Sequence, residues 1–261
     1  MIDKDKKVNT LVEESGMITH FKTTNILKKK DWSVLISPYY HDELSDSIRE
    51  TDLIAEKPFN SDTYRPGSSV QLNIQIFIEC KYINREVVFW FDEIDKEKAI
   101  KSIEKETSLK IANRSNGDTT VENFHYFNES SVAKLFSSNS NREDVIYKAM
   151  NQCLHSQINY RVQGKKPILN NFSQNNQARS IVIQYPVIVC ENFEKLLKVK
   201  FDDGGKFTTE KLKDHFILET NYRHDYFLID IVDINYLGRF LKNLEVEAVS
   251  LVNAHAMKSI K

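Results

Sequence analysis

Residues 74–83 read IQIFIECKYI, a nearly unbroken apolar run that nevertheless holds Glu79 and Lys81. Side chains alternate faces along a strand, so Glu79 and Lys81 point one way while Ile78, Cys80 and Tyr82 point the other. Burying a charge is costly unless it is closely partnered. A carboxylate and an amine two positions apart in such a strand read either as an ordinary exposed face or local ion pair, or as a catalytic site at a strand edge. The rest of the chain has to decide which.

The elements around this strand follow a pattern. Residues 8–30 carry Leu11, Val12, Ile18, Phe21 and Leu27 at helical spacing and end in Lys28-Lys29-Lys30, which suits a helix C-terminus, with a break expected near Ser15-Gly16. WSVLIS (32–37) reads as a strand, 38–51 as a polar connection, Asp52-Leu53-Ile54-Ala55 as a second strand, and the Pro- and Gly-containing 58–69 as a loop. Residues 70–83 are the clearest strand, followed by VVFWF (87–91) and a helix over 93–106. Further on come a helix over 143–160, a loop over 162–179, strands at 181–190, 195–201 and 227–232, and an amphipathic helix over 235–257 with Leu237, Leu241, Leu244, Ala248 and Leu251 on its apolar side. The pattern predicts an α/β or α+β protein, and with no clean linker the whole of 1–261 reads as one unit.

Composition narrows the function classes. The chain has 261 residues, 41% of them hydrophobic and 28% charged, which is material for a core. The formal net charge of −1 excludes a global basic field, so a polyanion must be met by local clusters such as Lys28-Lys29-Lys30 or Lys165-Lys166. Cys80, Cys153 and Cys190 are odd in number and far apart, which argues against a disulfide framework or a zinc ribbon and fits a cytoplasmic setting. MIDKDKKVNT lacks the apolar region of a secretory signal, and no stretch has the ~20 apolar residues of a membrane helix. Nucleotide-binding glycine motifs and the serine-hydrolase elbow are absent.

Asp52 opens one strand and Glu79-x-Lys81 lies in the next, an arrangement suited to phosphodiester hydrolysis. Two carboxylates offer the oxygen ligands a hard cation prefers, and an adjacent lysine can offset charge gathering on phosphorus. RETDLIAEK (49–57) and IFIECKY (76–82), preceded by a helix and the strand WSVLIS, resemble the PD-(D/E)XK phosphodiesterase superfamily. Thr51 stands where that pattern has proline.

The resemblance implies a restriction-endonuclease-like mixed central sheet flanked by helices. Its core would lie at about 10–105, built in the order α-β-β-β-α-β, with 106–261 as an elaboration adding C-terminal strands and a helix. It implies a nuclease that uses Mg²⁺, for which Mn²⁺ can substitute, on nucleic acid, DNA before RNA, and often a restriction or defence role. Homo-oligomers are compatible with it. Asp52 and Glu79 would hold the metal, the Cys80 carbonyl would be a further ligand, and Lys81 would position water. A carboxylate from the first helix often joins such sites. Glu13 and Glu14 compete for this place, and Glu14 is preferred because it shares a helical face with Ile18 and Phe21. His20, Tyr39, Tyr40, Gln152, Gln157 and Tyr160 are further candidates to approach a substrate, and each also has an ordinary structural reading. The alternative function is a catalytically inactive nucleic-acid-binding or scaffold protein.

Overall fold

The computed structural model describes residues 8, 10–12, 15–42, 46–61, 70–107, 124–135, 145–162, 168–169 and 179–258. Its elements are α1 (Met17–Lys29), β1 (Ser33–Ile36), β2 (Tyr39–Asp42), β3 (Ser47–Glu50), β4 (Leu53–Asn60), β5 (Val70–Tyr82), β6 (Val87–Glu93) and α2 (Lys96–Thr107). After these come β7 (Ser131–Leu135), α3 (Val145–Val162), β8 (Arg179–Glu191), β9 (Leu196–Phe201), β10 (Phe207–Lys211), β11 (His215–Tyr222), β12 (Asp225–Asp233) and α4 (Leu237–Lys258). Short 3₁₀ turns at His125–Phe127 and Phe193–Lys195 complete the described elements.

The described strands form a ten-stranded mixed sheet in the order β1-β4-β5-β8-β12-β11-β7-β6-β9-β10, while β2 and β3 pair separately as a hairpin. The strand that opened the sequence reading, β5, lies well inside this sheet, antiparallel to β4 (Leu53↔Ile78) and parallel to β8 (Ile76↔Tyr185). It is buried on both faces. Leu72, Ile74, Ile76, Ile78 and Cys80 join a first core with α1, α2 and α4, and Phe77 and Glu79 face the α3 side. Helices thus cover both faces, the three-layer solution for a sheet whose strands are apolar all round. Residues past 105 supply strands at the centre of the sheet as well as at its far edge.

The parallel ladder of β5 and β8 runs to Tyr82↔Glu191 and then resumes between β6 and β9 as Val87↔Leu196. The break is pinned by the Ile83 N–H on Glu191 O (3.3 Å), the Lys195 ammonium on Asn84 O (2.8 Å) and Asn192 in a left-handed conformation at φ 59°. Two strands therefore bend side by side, and the sheet turns over a second core. Ile83, Phe89, Cys153 and Leu154 of α3, Ile188, Phe193 and Ile229 fill it.

A buried polar cluster ties α4 to the sheet. His125 Nδ1 lies 2.7 Å from Glu247 Oε2, and its Nε2 lies 3.1 Å from Asp230 Oδ1. His215 Nε2 approaches the same Asp230 oxygen at 2.8 Å, Tyr126 donates to Asp230 Oδ2, and Tyr185 donates to Glu247. Burial alone would pull the His125 pKa down, but the Asp230 and Glu247 charges overcome it and push the value up to about 10. Burial likewise opposes the Asp230 charge, yet His125 and His215 hold its carboxyl down at about 2.

Several expectations hold. The helix breaks at Gly16 (φ 79°), and WSVLIS, the strand from Leu53, the 70–83 strand and the C-terminal helix all form. Others are corrected. The polar connection after β1 contains the β2–β3 hairpin, whose buried positions include Tyr40 and Asp42 rather than an apolar set. The start of the expected 58–69 loop continues β4, with Pro58 opposite Asn73. The β1 pairing ends at Glu56, so Pro58 withholds no donor from it. β10 and β11 were not foreseen. The apolar face assigned to the first helix is also wrong: Thr19, Thr23, Thr24 and Leu27 are buried, and Phe21 is 67% exposed. Among the described residues no helix is long and apolar enough to cross a membrane.

Candidate active site

Register decides which side chains meet. Leu53 pairs with Ile78, so Asp52, one residue before β4, comes level with Glu79 on the same face. The backbone of Asp52 is fixed from two sides: its carbonyl accepts the Ser37 N–H (2.9 Å) and the His20 ring Nε2–H (3.0 Å). Its carboxylate Oδ2 accepts the Cys80 N–H at 2.7 Å, and its own N–H points to Glu79 Oε1 at 3.4 Å. Lys81 Nζ donates to Glu79 Oε2 at 2.8 Å and stands 3.7 Å from Asp52 Oδ2. The three charged groups thus form one cluster. Glu79 is fully buried at its base, while Asp52 and Lys81 are 29% and 19% exposed at its mouth.

Burial dominates the electrostatics of Glu79. Desolvation, added to repulsion from Asp52, outweighs the attraction of Lys81 and pushes its carboxyl up to about 7. Burial opposes the Lys81 charge, yet Glu79 and Asp52 raise its pKa, so the ammonium persists. The nearby thiols behave differently. Burial pushes Cys80 and Cys153 well above the ordinary thiol range, which rules them out as thiolate nucleophiles near neutral pH.

A roof of α3 and the β2–β3 hairpin adjoins this face. Cys153 Sγ donates to Val187 O at 3.3 Å, and Tyr160 packs on Phe77 and Tyr40 with ring centroids 5.6 and 6.3 Å away. The hairpin is latched to α3. Asp42 accepts from Arg49 Nε (2.6 Å) and from His155 Nδ1 (2.7 Å), and Tyr222 OH lies 2.6 Å from His155 Nε2. The hydrogen bond to Tyr222 fits a neutral imidazole accepting at Nε2, and burial pulls the His155 pKa down in agreement.

The sequence-derived candidates divide clearly. Asp52, Glu79, Lys81 and the Cys80 backbone are brought together, and the Cys80 side chain packs into the first core. His20 joins through the Asp52 carbonyl. Gln157 lies away from the cluster, buried and bonded to Gln184 O at 3.3 Å, and Tyr39 is 69% exposed. Tyr160 enters as packing, and Gln152 is half-buried on α3. Glu13 and Glu14 lie outside the described residues. The exposure of Phe21 removes the facial reason for preferring Glu14. Among the described residues no three His, Cys, Asp or Glu side chains are gathered at metal-binding spacing. Tyr40, also named from the sequence, is buried and packs on Tyr160, whereas the Asp42 latch had no sequence signal, because His155 and Tyr222 lie on α3 and β11.

Gly16 is where α1 meets the site. A Cβ on this residue would stand 3.0 Å from the Cys80 carbonyl oxygen, and its φ of 79° disfavours any L side chain. Gly16→Ala is expected to lower stability by about 1–3 kcal/mol, read by denaturant midpoint. A midpoint matching wild type would show that α1 does not press on β5 at this point. No family model, curated protein or solved structure matches the chain.

Proposed function

We propose that the chain is a divalent-metal-dependent nuclease that hydrolyses phosphodiester bonds, DNA before RNA, with a PD-(D/E)XK-type site. The observation that carries the reading is the clustering of Asp52, Glu79 and Lys81 on one face of the sheet, with Lys81 Nζ 2.8 and 3.7 Å from the two carboxylates. Element order adds support. A helix, a three-strand antiparallel meander, another helix and a strand parallel to the third meander strand occur in α1, β1-β4-β5, α3 and β8. That is the family's α-β-β-β-α-β order, with β2–β3 and residues 83–144 inserted.

The donors suit Mg²⁺ in kind. Mg²⁺ takes oxygen ligands, keeps several waters and commonly needs only one or two carboxylates from the protein. Asp52 and Glu79 would hold it, with the Cys80 carbonyl as a further oxygen. Glu79, buried and poised near neutrality, gains from a dication that replaces its proton. When bound, the metal polarises a phosphoryl oxygen and acidifies water. Lys81 supplies a fixed positive charge beside the reacting phosphate, and the Cys80 N–H keeps the Asp52 carboxylate oriented. His20 and Ser37 hold the Asp52 backbone so that the carboxylate has a firm base.

Purified protein should cut DNA or RNA with Mg²⁺ or Mn²⁺ and lose that activity in chelator. Lys81→Ala should cost roughly 10²–10³ in rate, as for loss of one preorganised electrostatic group. Asp52→Ala should weaken Mg²⁺ binding by calorimetry. If no nucleic acid is cut with any divalent metal, Glu79–Lys81 is only an ion pair in a scaffold.

A further inference from the structure

The sheet is open between β8 and β12. Their parallel ladder runs from Val187↔Asp230 to Cys190↔Asp233. Before that point β8 extends back to Arg179 along β5, and β12 back to Asp225 along β11, without pairing to each other. A cavity of about 30 Å³ lies in this gap, with room for about two water molecules. Gln184 of β8, Leu228 of β12, Ser102 of α2 and Gln157 of α3 are among the residues that line it.

The hydrogen bonds that reach this cavity have a fixed direction. Both oxygens of the buried Glu56 carboxylate accept backbone N–H groups, from Ile168 at 2.7 Å and Leu169 at 2.8 Å. A carboxylate only accepts, so Gln75 turns its Nε2 to Glu56 Oε1 at 2.5 Å. Gln75 Oε1 is left as an acceptor, and Gln184 Nε2 donates to it at 2.8 Å. Gln157 Nε2 donates to Gln184 O at 3.3 Å. Flipping either glutamine at the cavity would set two acceptors against each other. Each therefore keeps its side-chain carbonyl oxygen outside these bonds. Neither oxygen has a partner, and the two residues are only 1% and 3% exposed. Ser102 donates its one hydroxyl proton to Tyr226 O at 2.6 Å, so it too can only accept. A buried acceptor left without a donor is costly, so the cavity calls for a small molecule that donates. We infer that the gap between β8 and β12 is a binding site for a water-sized hydrogen-bond donor, water or an ammonium ion, held by Gln157 Oε1, Gln184 Oε1 and Ser102 Oγ. The aromatic rings of Tyr126, Tyr185 and Phe227 on the same wall suit a cation, whereas the absence of a carboxylate among the described lining residues suits water. Either occupant joins β8 to α2 where the ladder is open, and the inference is independent of the nuclease reading.

The test compares wild type with Ser102→Met, whose flexible side chain fills the space from α2 while both glutamines stay in place. Long-lived internal water is counted by oxygen-17 relaxation dispersion in sodium chloride, and melting temperature is read in sodium chloride and in ammonium chloride at equal ionic strength. If water is the occupant, wild type should hold about one or two more long-lived waters than the variant. If ammonium is the occupant, wild type should melt higher in ammonium chloride than in sodium chloride, and the variant should not. Equal water counts together with no ammonium-dependent melting difference between the two proteins overturn the site. Should Ser102→Met fail to fold, crystals of wild type grown from each salt decide instead. Electron density within hydrogen-bonding distance of both glutamine oxygens upholds the site, and its absence from both crystals overturns it.

Discussion

Glu79→Gln should melt higher than wild type at pH 8 and cut no nucleic acid. Both results follow from the buried position of this carboxyl. Its folded pKa of about 7 lies above the ordinary glutamate value of roughly 4.3, so the folded state holds the proton more tightly than the unfolded chain. The resulting stabilisation is fully present below about pH 4.3 and is lost as pH rises through 7. At pH 8 the folded protein carries a buried charge that burial opposes more strongly than Lys81 rewards it. Glutamine keeps the shape and removes that charge. The gain should be on the order of 2–3 kcal/mol at pH 8, or several degrees, and should shrink as pH falls and vanish below about pH 4. On the proposed nuclease reading, cleavage is lost because the amide would not serve as an anionic metal ligand. A variant that melts lower than wild type at pH 8 would mean that the Lys81 ion pair, not desolvation, governs this site, which favours the scaffold reading.

The second large effect lies away from this cluster. His125→Gln removes the cation that neutralises Asp230 and Glu247 beneath α4. Breaking a buried pair by deleting one partner typically costs about 3–5 kcal/mol, which for a chain of this size lowers the melting temperature by on the order of 10 °C. The pH dependence identifies the source. His125 has a folded pKa raised to about 10, so its contribution is complete below the unfolded value near 6.5 and disappears as pH rises through 10. Asp230, depressed to about 2, contributes above roughly pH 3.9 and loses its contribution as pH falls through 2. Wild type should therefore lose stability between pH 7 and 10, and the variant should show a flatter alkaline limb across that range. Thermal melts from pH 4 to 10 decide it. An alkaline limb unchanged in His125→Gln would place its origin elsewhere.

What sequence patterns revealed depended on whether function and burial coincided. Glu79 and Lys81 stood out because they interrupt an apolar strand, and Asp52 because it opens another. Register then brought them together, which period-two reasoning alone could anticipate. The β2–β3 hairpin was hidden because its buried Asp42 is partnered by Arg49 and His155, so no apolar alternation marks it. The turn between β11 and β12 was hidden for another reason. Arg223 and His224 both adopt positive φ, 51° and 70°, in a place where Asn-Gly would have announced a tight hairpin. The α1 face was misread because threonines, not its apolar residues, make most of the contact. The His125 cluster draws on a 3₁₀ turn, β8, β11, β12 and α4, and nothing local foretells such a meeting.

The bent ladder also governs how the chain is made. Ile78 pairs with Val187, 109 positions later. At synthesis rates of about 5–20 residues per second, β5 waits roughly 5–20 seconds on the ribosome before its parallel neighbour exists. During that interval β4 can pair with one edge of β5, while the other presents unpaired backbone beside Ile74, Ile76 and Ile78. Such an edge is a template for another nascent chain. Refolding from denaturant meets the same long loop closure, so it should be slow, and its yield should fall as protein concentration rises.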